Sequence, residues 1–318
     1  VKILRFHLAV ILLLVFTWPL VAKSADDHGF VRFARQMLDV GRWLNVATGR
    51  QLESKSFALM SVWELNAYLS GLHRRQPDAR KRLLAVSARF LGTAYMRSPL
   101  GEGLGHPPDP DPLIRFDGVD CTTLVEQAMA MAQSADVFLL MRNLQNIRSV
   151  EGRIGYQQRK HFVMAQWVPL NQKLGLLADI TRSVGGKGVV WATKRLDVNV
   201  WRRRKKKEIW PQLADAAIPA GTFRLPMVPL GQVRHLSERI PAGALVNVIR
   251  KDLGTFPERV THQGLVVIKS GRRYLRHASR TMGRVIDEPF DRFIGRHAAY
   301  GKWPVDGINF QQVFVKVP

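Results

Sequence analysis

Two alternating segments near the C-terminus constrain the fold of this chain more than any other feature. Thr261-His262-Gln263-Gly264-Leu265-Val266-Val267-Ile268-Lys269 and Arg272-Arg273-Tyr274-Leu275-Arg276-His277-Ala278-Ser279 read as β-strands, and Ser270-Gly271 between them is a two-residue hairpin turn. The turn sets the register. With Lys269 opposite Arg272, Gly264 falls opposite His277 and His262 opposite Ser279. Side chains change face at every residue, so His262 and His277 share one face as diagonal neighbours, and Gly264 leaves room for their rings. Gln263 and Leu265 are expected on the other face. Ala244-Leu245-Val246-Asn247-Val248-Ile249-Arg250, after Pro241-Ala242-Gly243, predicts a further strand, and residues 311–317 are strand-like again.

The N-terminal half reads as helical. Phe30, Phe33, Met37, Leu38 and Val40 recur at helical spacing, as do Leu59, Val62, Leu65 and Leu69. Pro77-Asp78 introduces a third helix through Leu83, Leu84, Val86, Phe90 and Leu91, ending near Gly92, with Asp78 as its N-cap. The Gly/Pro/Asp stretch 105–112 is a surface loop by composition, and its His106 is an incidental loop residue. Residues 150–240 show the least regular pattern.

Cys121 is the only cysteine, so no intramolecular disulfide can form. It lies in Gly118-Val119-Asp120-Cys121-Thr122-Thr123-Leu124-Val125-Glu126, where a turn runs into a helix with Leu124, Val125, Ala128, Met129 and Ala132 as its buried stripe. A lone cysteine is either core filling or a reagent. At a helix start, unpaired N–H groups and the macrodipole favour a thiolate, which predicts a thiol ionising below its ordinary range. Packing this helix on the histidine face would complete a Cys-His-His site. His262 would take the thiol proton, and His277 would orient its ring.

Charge and the first residues bound the surroundings. The sequence opens with Lys2 and Arg5, an apolar run from Leu8 to Val21, and Ala22-Lys23-Ser24, which predicts a secretory signal peptide over residues 1–24 and a periplasmic or exported protein, with an uncleaved membrane anchor as the alternative. No later stretch is long and apolar enough to span a bilayer, so the mature chain is not expected to be integral to the membrane. The formal charge is +23. Such a field favours anionic partners, and in an envelope these are wall or lipopolysaccharide polymers rather than a specific nucleic acid. Six consecutive cations from Arg202 to Lys207, between Trp201 and Trp210, are a candidate grip on such a polymer, although a solvated loop is the plainer reading. Nothing has metal-ligand spacing, and no cofactor is called for.

The order Leu91-Gly92-Thr93-Ala94-Tyr95, Asp120-Cys121-Thr122-Thr123-Leu124-Val125-Glu126, Pro241-Ala242-Gly243, Thr261-His262-Gln263-Gly264 and His277-Ala278-Ser279 resembles the NlpC-type, papain-like cell-wall cysteine hydrolases. Within them it is similar to the N-acetylmuramoyl-L-alanine amidase-like branch, whose internal motif resembles Gly155-Tyr156-Gln157-Gln158-Arg159-Lys160-His161-Phe162 with Trp167 and Asn171. The resemblance implies an α+β fold, with the nucleophile helix packed on an antiparallel sheet. It implies a hydrolase domain over residues 79–318 with a substrate-shaping insertion at 150–240, preceded by a helical extension at 25–78. It implies Cys121 as nucleophile, His262 as base and His277 as orienting residue, with Tyr95, Arg159 and His161 lining the substrate groove. The implied substrates are peptidoglycan fragments cut between muramic acid and L-alanine. Ala94, Leu124 and Gln263 depart from the usual proline, phenylalanine and valine. Two alternatives stand beside this reading: a stem-peptide endopeptidase of the same fold, and a non-catalytic cationic envelope protein.

Overall fold

The computed structural model describes residues 49–205, 212–254 and 256–313. The signal segment, the apolar spacing at Phe30–Val40, the last two cations of the basic run (Lys206 and Lys207) and the last strand-like residues lie outside them.

The hairpin forms as its turn chemistry dictates. Ser270 and Gly271 both adopt left-handed φ values of 46° and 76°, the geometry a two-residue turn of matching twist requires. It joins β7 (Val260–Lys269) to β8 (Arg272–Ser279), with Lys269 opposite Arg272 as expected. Around it grows a mixed, antiparallel-dominated sheet of ten strands: β1 (Ala94–Tyr95), β2 (Gly118–Val119), β3 (Leu177–Asp179), β4 (Val190–Leu196), β5 (Gly221–Pro229), β6 (Ala244–Arg250), β9 (Arg284–Pro289) and β10 (Val305–Val313) complete it. The order is β2-β1-β9-β8-β7-β6-β10-β5-β4, with β3 also on β10. Among the described strands only β1 and β2 pair in parallel.

Four helices form a layer on one face: α1 (Val62–Arg75), α2 (Ala79–Ala88), α3 (Cys121–Gln133) and α4 (Val137–Arg148). Asp78 caps α2 by accepting from Arg80 N and Lys81 N. In α1, however, Leu59 and Val62 are exposed and the buried stripe is Leu65, Tyr68, Leu69 and Leu72, because Ser61 starts the helix later than the spacing predicted. Helix α3 is buried all round from Thr123 to Gln133. Its Leu124, Val125 and Ala128 share one core with α1, α2 and the sheet residues Leu245, Leu265, Ala278 and Val285. A second core on the opposite face joins Val246, Val248, Val266 and Leu275 to Phe290, Phe293 and Ile294.

The irregular region 150–240 supplies β3, β4, β5 and helix α5 (Val198–Lys205), which sits on a small core of Phe162, Leu196, Val200, Trp201, Leu213 and Ile218. Trp201 is thus spent on packing, edge to face with Phe162, and is not free to grip a polymer. Helix α6 (Phe290–Ala298) carries the second core. No described helix is long and apolar enough to cross a membrane.

Candidate active site

The Asp120-Cys121-Thr122-Thr123 sequence builds a capping box. Thr123 N donates to Asp120 Oδ1 at 2.8 Å and Asp120 N donates to Thr123 Oγ1 at 2.9 Å. The second carboxylate oxygen accepts from Ser98 N at 3.1 Å, so the cap also fastens the incoming loop. Cys121 becomes the first helical residue.

Its sulfur lies against β7 at Gln263, whose backbone N–H points at it, one residue from His262. Thr122 Oγ1 is 4.0 Å away. Among the described residues Sγ makes no hydrogen bond to either imidazole. Burial pushes the thiol up to about 12, and the Asp120 carboxylate adds to the rise while the Gln263 N–H opposes it. The expectation of a thiol ionising below its ordinary range is therefore reversed. The physical reason is burial first, which disfavours a thiolate, and then the cap: Asp120 already supplies the negative charge that the helix start favours, and it repels a second one beside it.

His262 and His277 share a face as the register required, with His262 Nε2 and His277 Nδ1 2.8 Å apart. His277 Nε2 is 3.1 Å from Glu288 Oε2. Burial would raise the Glu288 carboxyl, but the hydrogen bonds from His277 and Arg296 outweigh it and hold it at about 2. Arg296 Nη2 donates to Glu288 Oε2 at 2.8 Å and balances the charge. The carboxylate can only accept, so His277 donates from Nε2. Its Nδ1 then accepts from His262 Nε2–H, and Nδ1 of His262 is left as the unprotonated nitrogen. This tautomer chain is assigned from the hydrogen-bond pattern. Phe293 of α6 covers both rings, at centroid distances of 6.0 Å and 5.5 Å. Burial, then His277, holds His262 well below its ordinary pKa.

The sequence placed the Cys121 helix on the imidazole face, and the structure corrects this. Helix α3 packs against the face bearing Leu265 and Ala278, whereas the rings lie under Phe293 on the other. The sheet itself resolves the conflict. The β7–β8 ladder stops at Leu265 opposite Arg276; beyond it β7 stays paired only with β6 and β8 only with β9. Into this fork the thiol comes from the helix side, while the imidazole pair bridges it from the other. Gly264 stands at its base, where a Cβ would meet Arg276 O and Leu275 Cδ1 at 2.9 Å.

Glu288 is the residue the sequence reading missed. In the β8–β9 ladder His277 faces Ile286, so Glu288, two residues on, shares its face. Extending the hairpin by one strand would have found it.

The expected groove residues divide. Tyr95 is half-buried; burial raises its phenol, with Cys121 and Asp120 as the next contributors, so it stands within electrostatic reach of the thiol. Arg159 is occupied: its Nε donates to Glu102 Oε1 at 2.9 Å and its Nη2 to Asp109 Oδ2 at 2.8 Å. With two carboxylates already on its guanidinium, it clasps the 101–112 loop instead of offering an open anion receptor. His161 is buried, its Nε2 2.7 Å from Tyr156 O, and burial pushes it down to about 3. Its neighbours serve the same end. Lys160 Nζ donates to Asn146 O at 2.7 Å, and Trp167 Nε1 donates to Glu126 Oε1 of α3 at 2.8 Å. The internal motif is thus a scaffold for the loop and for the cysteine helix. Gln263 donates from Nε2 to Asn247 Oδ1 at 2.8 Å, on the face opposite the imidazoles as expected, which is the face that α3 covers. Among the described residues no grouping of three His, Cys, Asp or Glu side chains could hold a metal ion.

A model of the N-acetylmuramoyl-L-alanine amidase-like family (AmiA-like) matches residues 85–300. No curated protein matches the chain significantly. Among solved structures, a Legionella pneumophila protein of a family of unknown function is 24% identical, with 80% of this chain and 95% of that one covered and a TM-score of 0.69. An N-acetylmuramoyl-L-alanine amidase from Bacteroides uniformis is 21% identical, covering 73% and 99% at a TM-score of 0.57. A putative xylanase from Bacteroides fragilis is 24% identical, covering 72% and 100% at 0.56. At these identities the likeness is one of fold.

Proposed function

Because the chain belongs to the N-acetylmuramoyl-L-alanine amidase-like family, we propose that it hydrolyses the amide between muramic acid and L-alanine in peptidoglycan fragments, with Cys121 as nucleophile. The observation that carries this reading is the chain from Glu288 through His277 to His262, ending beside the residue against which Cys121 rests. The fold is read as the papain-like, NlpC-type arrangement.

The resting site holds a neutral thiol and a neutral imidazole, because burial disfavours both charged forms. The proton therefore leaves Sγ as the sulfur attacks, and His262 Nδ1 receives it. The lactyl carbonyl carbon bonds to sulfur, and the tetrahedral intermediate expels the L-alanyl amine, which takes the proton from His262. Water, deprotonated by the same nitrogen, then cleaves the thioester and restores the thiol. His277 keeps the ring in its tautomer, and Glu288 favours the imidazolium that forms in each half-reaction. The protein is read as exported to the periplasm, with Arg202 to Lys207 contacting anionic envelope polymers.

Defined anhydro-muropeptides and product masses test the bond. A free L-alanyl peptide and a peptide-free sugar are expected, and Cys121→Ser should abolish turnover in a folded protein. An L-alanyl-D-glutamyl dipeptide left on the sugar would assign a stem-peptide endopeptidase instead. Turnover by the serine variant at the wild-type rate would remove the nucleophile.

A further inference from the structure

Two arginines without carboxylate partners border the candidate active site at one corner of the sheet. Tyr95 N donates to Gly283 O at 2.8 Å, and Met96 N donates to Val119 O at 3.0 Å, one residue before the capping Asp120. Strand β1 thus ties the β8–β9 turn to the start of the cysteine helix. Met282 N closes that turn by donating to Ser279 Oγ at 3.2 Å, and the turn carries Arg280, which is exposed. Arg97, also exposed, immediately precedes Ser98, whose N–H donates to the Asp120 carboxylate and whose φ is 48°. A serine in the left-handed region is unfavourable, and the cap's hydrogen bond holds it there, so Arg97 leaves a loop fastened beside Cys121.

Tyr95 links the two cations to the thiol. Burial raises its phenol first, then Cys121 and Asp120, while Arg280 and Arg97 lower it, so both guanidiniums stand within electrostatic reach of the ring beside the thiol. The carboxylates of the adjoining segments are already spent. Asp120 serves the cap and Ser98, Asp117 accepts twice from Arg115 at 2.7 Å, and Asp287 is held by Arg276 and Lys269. Neither the Arg97 nor the Arg280 guanidinium makes an ion pair or hydrogen bond among the described residues. With Arg159 committed to Glu102 and Asp109, these two cations remain to meet a charged substrate.

The chemistry of a muropeptide says which half they meet. Once the lactyl acid is bound as an amide, the sugar half carries no charge, and every carboxylate belongs to the peptide. Building on the amidase reading above, we propose that Arg97 and Arg280 bind the α-carboxylate of the glutamyl residue that follows L-alanine. The peptide half then lies over the β8–β9 turn, and the neutral sugar half lies on the other side of Cys121.

Calorimetry on the full chain carrying Cys121→Ser reads recognition without turnover. The probe is L-alanyl-D-glutamine, whose side-chain amide stands in for the onward peptide bond, and its counterpart is the α-amide that lacks the carboxylate. The acid should bind saturably with Kd on the order of 1 mM, and the amide about fivefold more weakly, as befits exposed ion pairs. Arg97→Gln and Arg280→Gln should each weaken the acid about fivefold and leave the amide unchanged. Arg142→Gln removes an equal charge at the far end of α3, where Arg142 and Gln133 line one cleft, and should alter neither. Absence of saturation, equal binding of acid and amide, indifference of the acid to either active-site substitution, or an equal loss in Arg142→Gln would each overturn the assignment. Equal binding alongside wild-type cleavage of anhydro-muropeptides would remove this assignment and leave the amidase reading standing. The expected preference without any cleavage would support the recognition and remove the amidase reading.

Discussion

At the scale of single residues, the proton inventory of the site decides its behaviour. A thiol pushed up to about 12 by burial should react with iodoacetamide slowly at neutral pH. Its rate should climb with pH beyond the ordinary thiol range, with no plateau between about pH 5 and pH 8. Such a plateau would reveal a resting thiolate–imidazolium pair and contradict the neutral site. Glu288 gives a second prediction. Glu288→Gln keeps the shape but replaces an acceptor-only carboxylate with an amide that can present its NH₂ to His277 and favour the wrong tautomer. We expect kcat to fall about 100-fold or more with KM little changed, and Cys121 alkylation to be unaffected. A rise in KM alone would mean that Glu288 acts on substrate binding.

The elements around these residues carry their own costs. Thr123→Val removes half of the capping box and should lower stability by about 1 kcal/mol in denaturant titration, with a larger proportional loss of kcat because the cap sets where Cys121 begins. Equal proportional losses in Cys121-independent stability and in turnover would make the cap purely structural. Much at this scale was legible in advance. The hairpin was readable because Ser270-Gly271 admits one turn geometry and hence one register, which put His262 and His277 together. Which face the cysteine helix would cover was not, because alternation specifies faces within a ladder and carries no sign of where the ladder parts. The fork between Leu265 and Arg276 leaves only Gly264 as its trace. Nor did β4 and β5 declare themselves. Lys194 lies buried in β4 on Asp252, at 2.8 Å, and Pro226 lies within β5, so charge and proline interrupt the pattern that announces a strand.

For the molecule as a whole, pH acts through histidines kept neutral by burial. His297 of α6 is pushed down to about 4, first by burial and then by Arg296. Its unfolded counterpart takes up a proton near 6.5. Between these values the unfolded state binds more protons, so this residue withdraws stability as pH falls. His297→Leu should therefore lose less stability than wild type between about pH 7 and about pH 4.5, by up to ~2 kcal/mol. An equal loss in both would show that the ring is protonated in the folded state. The reciprocal cap at Asp120 and Thr123 has a consequence for how the chain can change in length. A helix turns about 100° per residue, and the cap pins its first residue. One residue inserted between the capping partners would rotate the thiol out of the sheet fork, or break the cap to keep it there. The stretch around Leu104, which is 78% exposed, faces no such restriction. Length variation among descendants of this chain should collect in that loop and stop at Asp120.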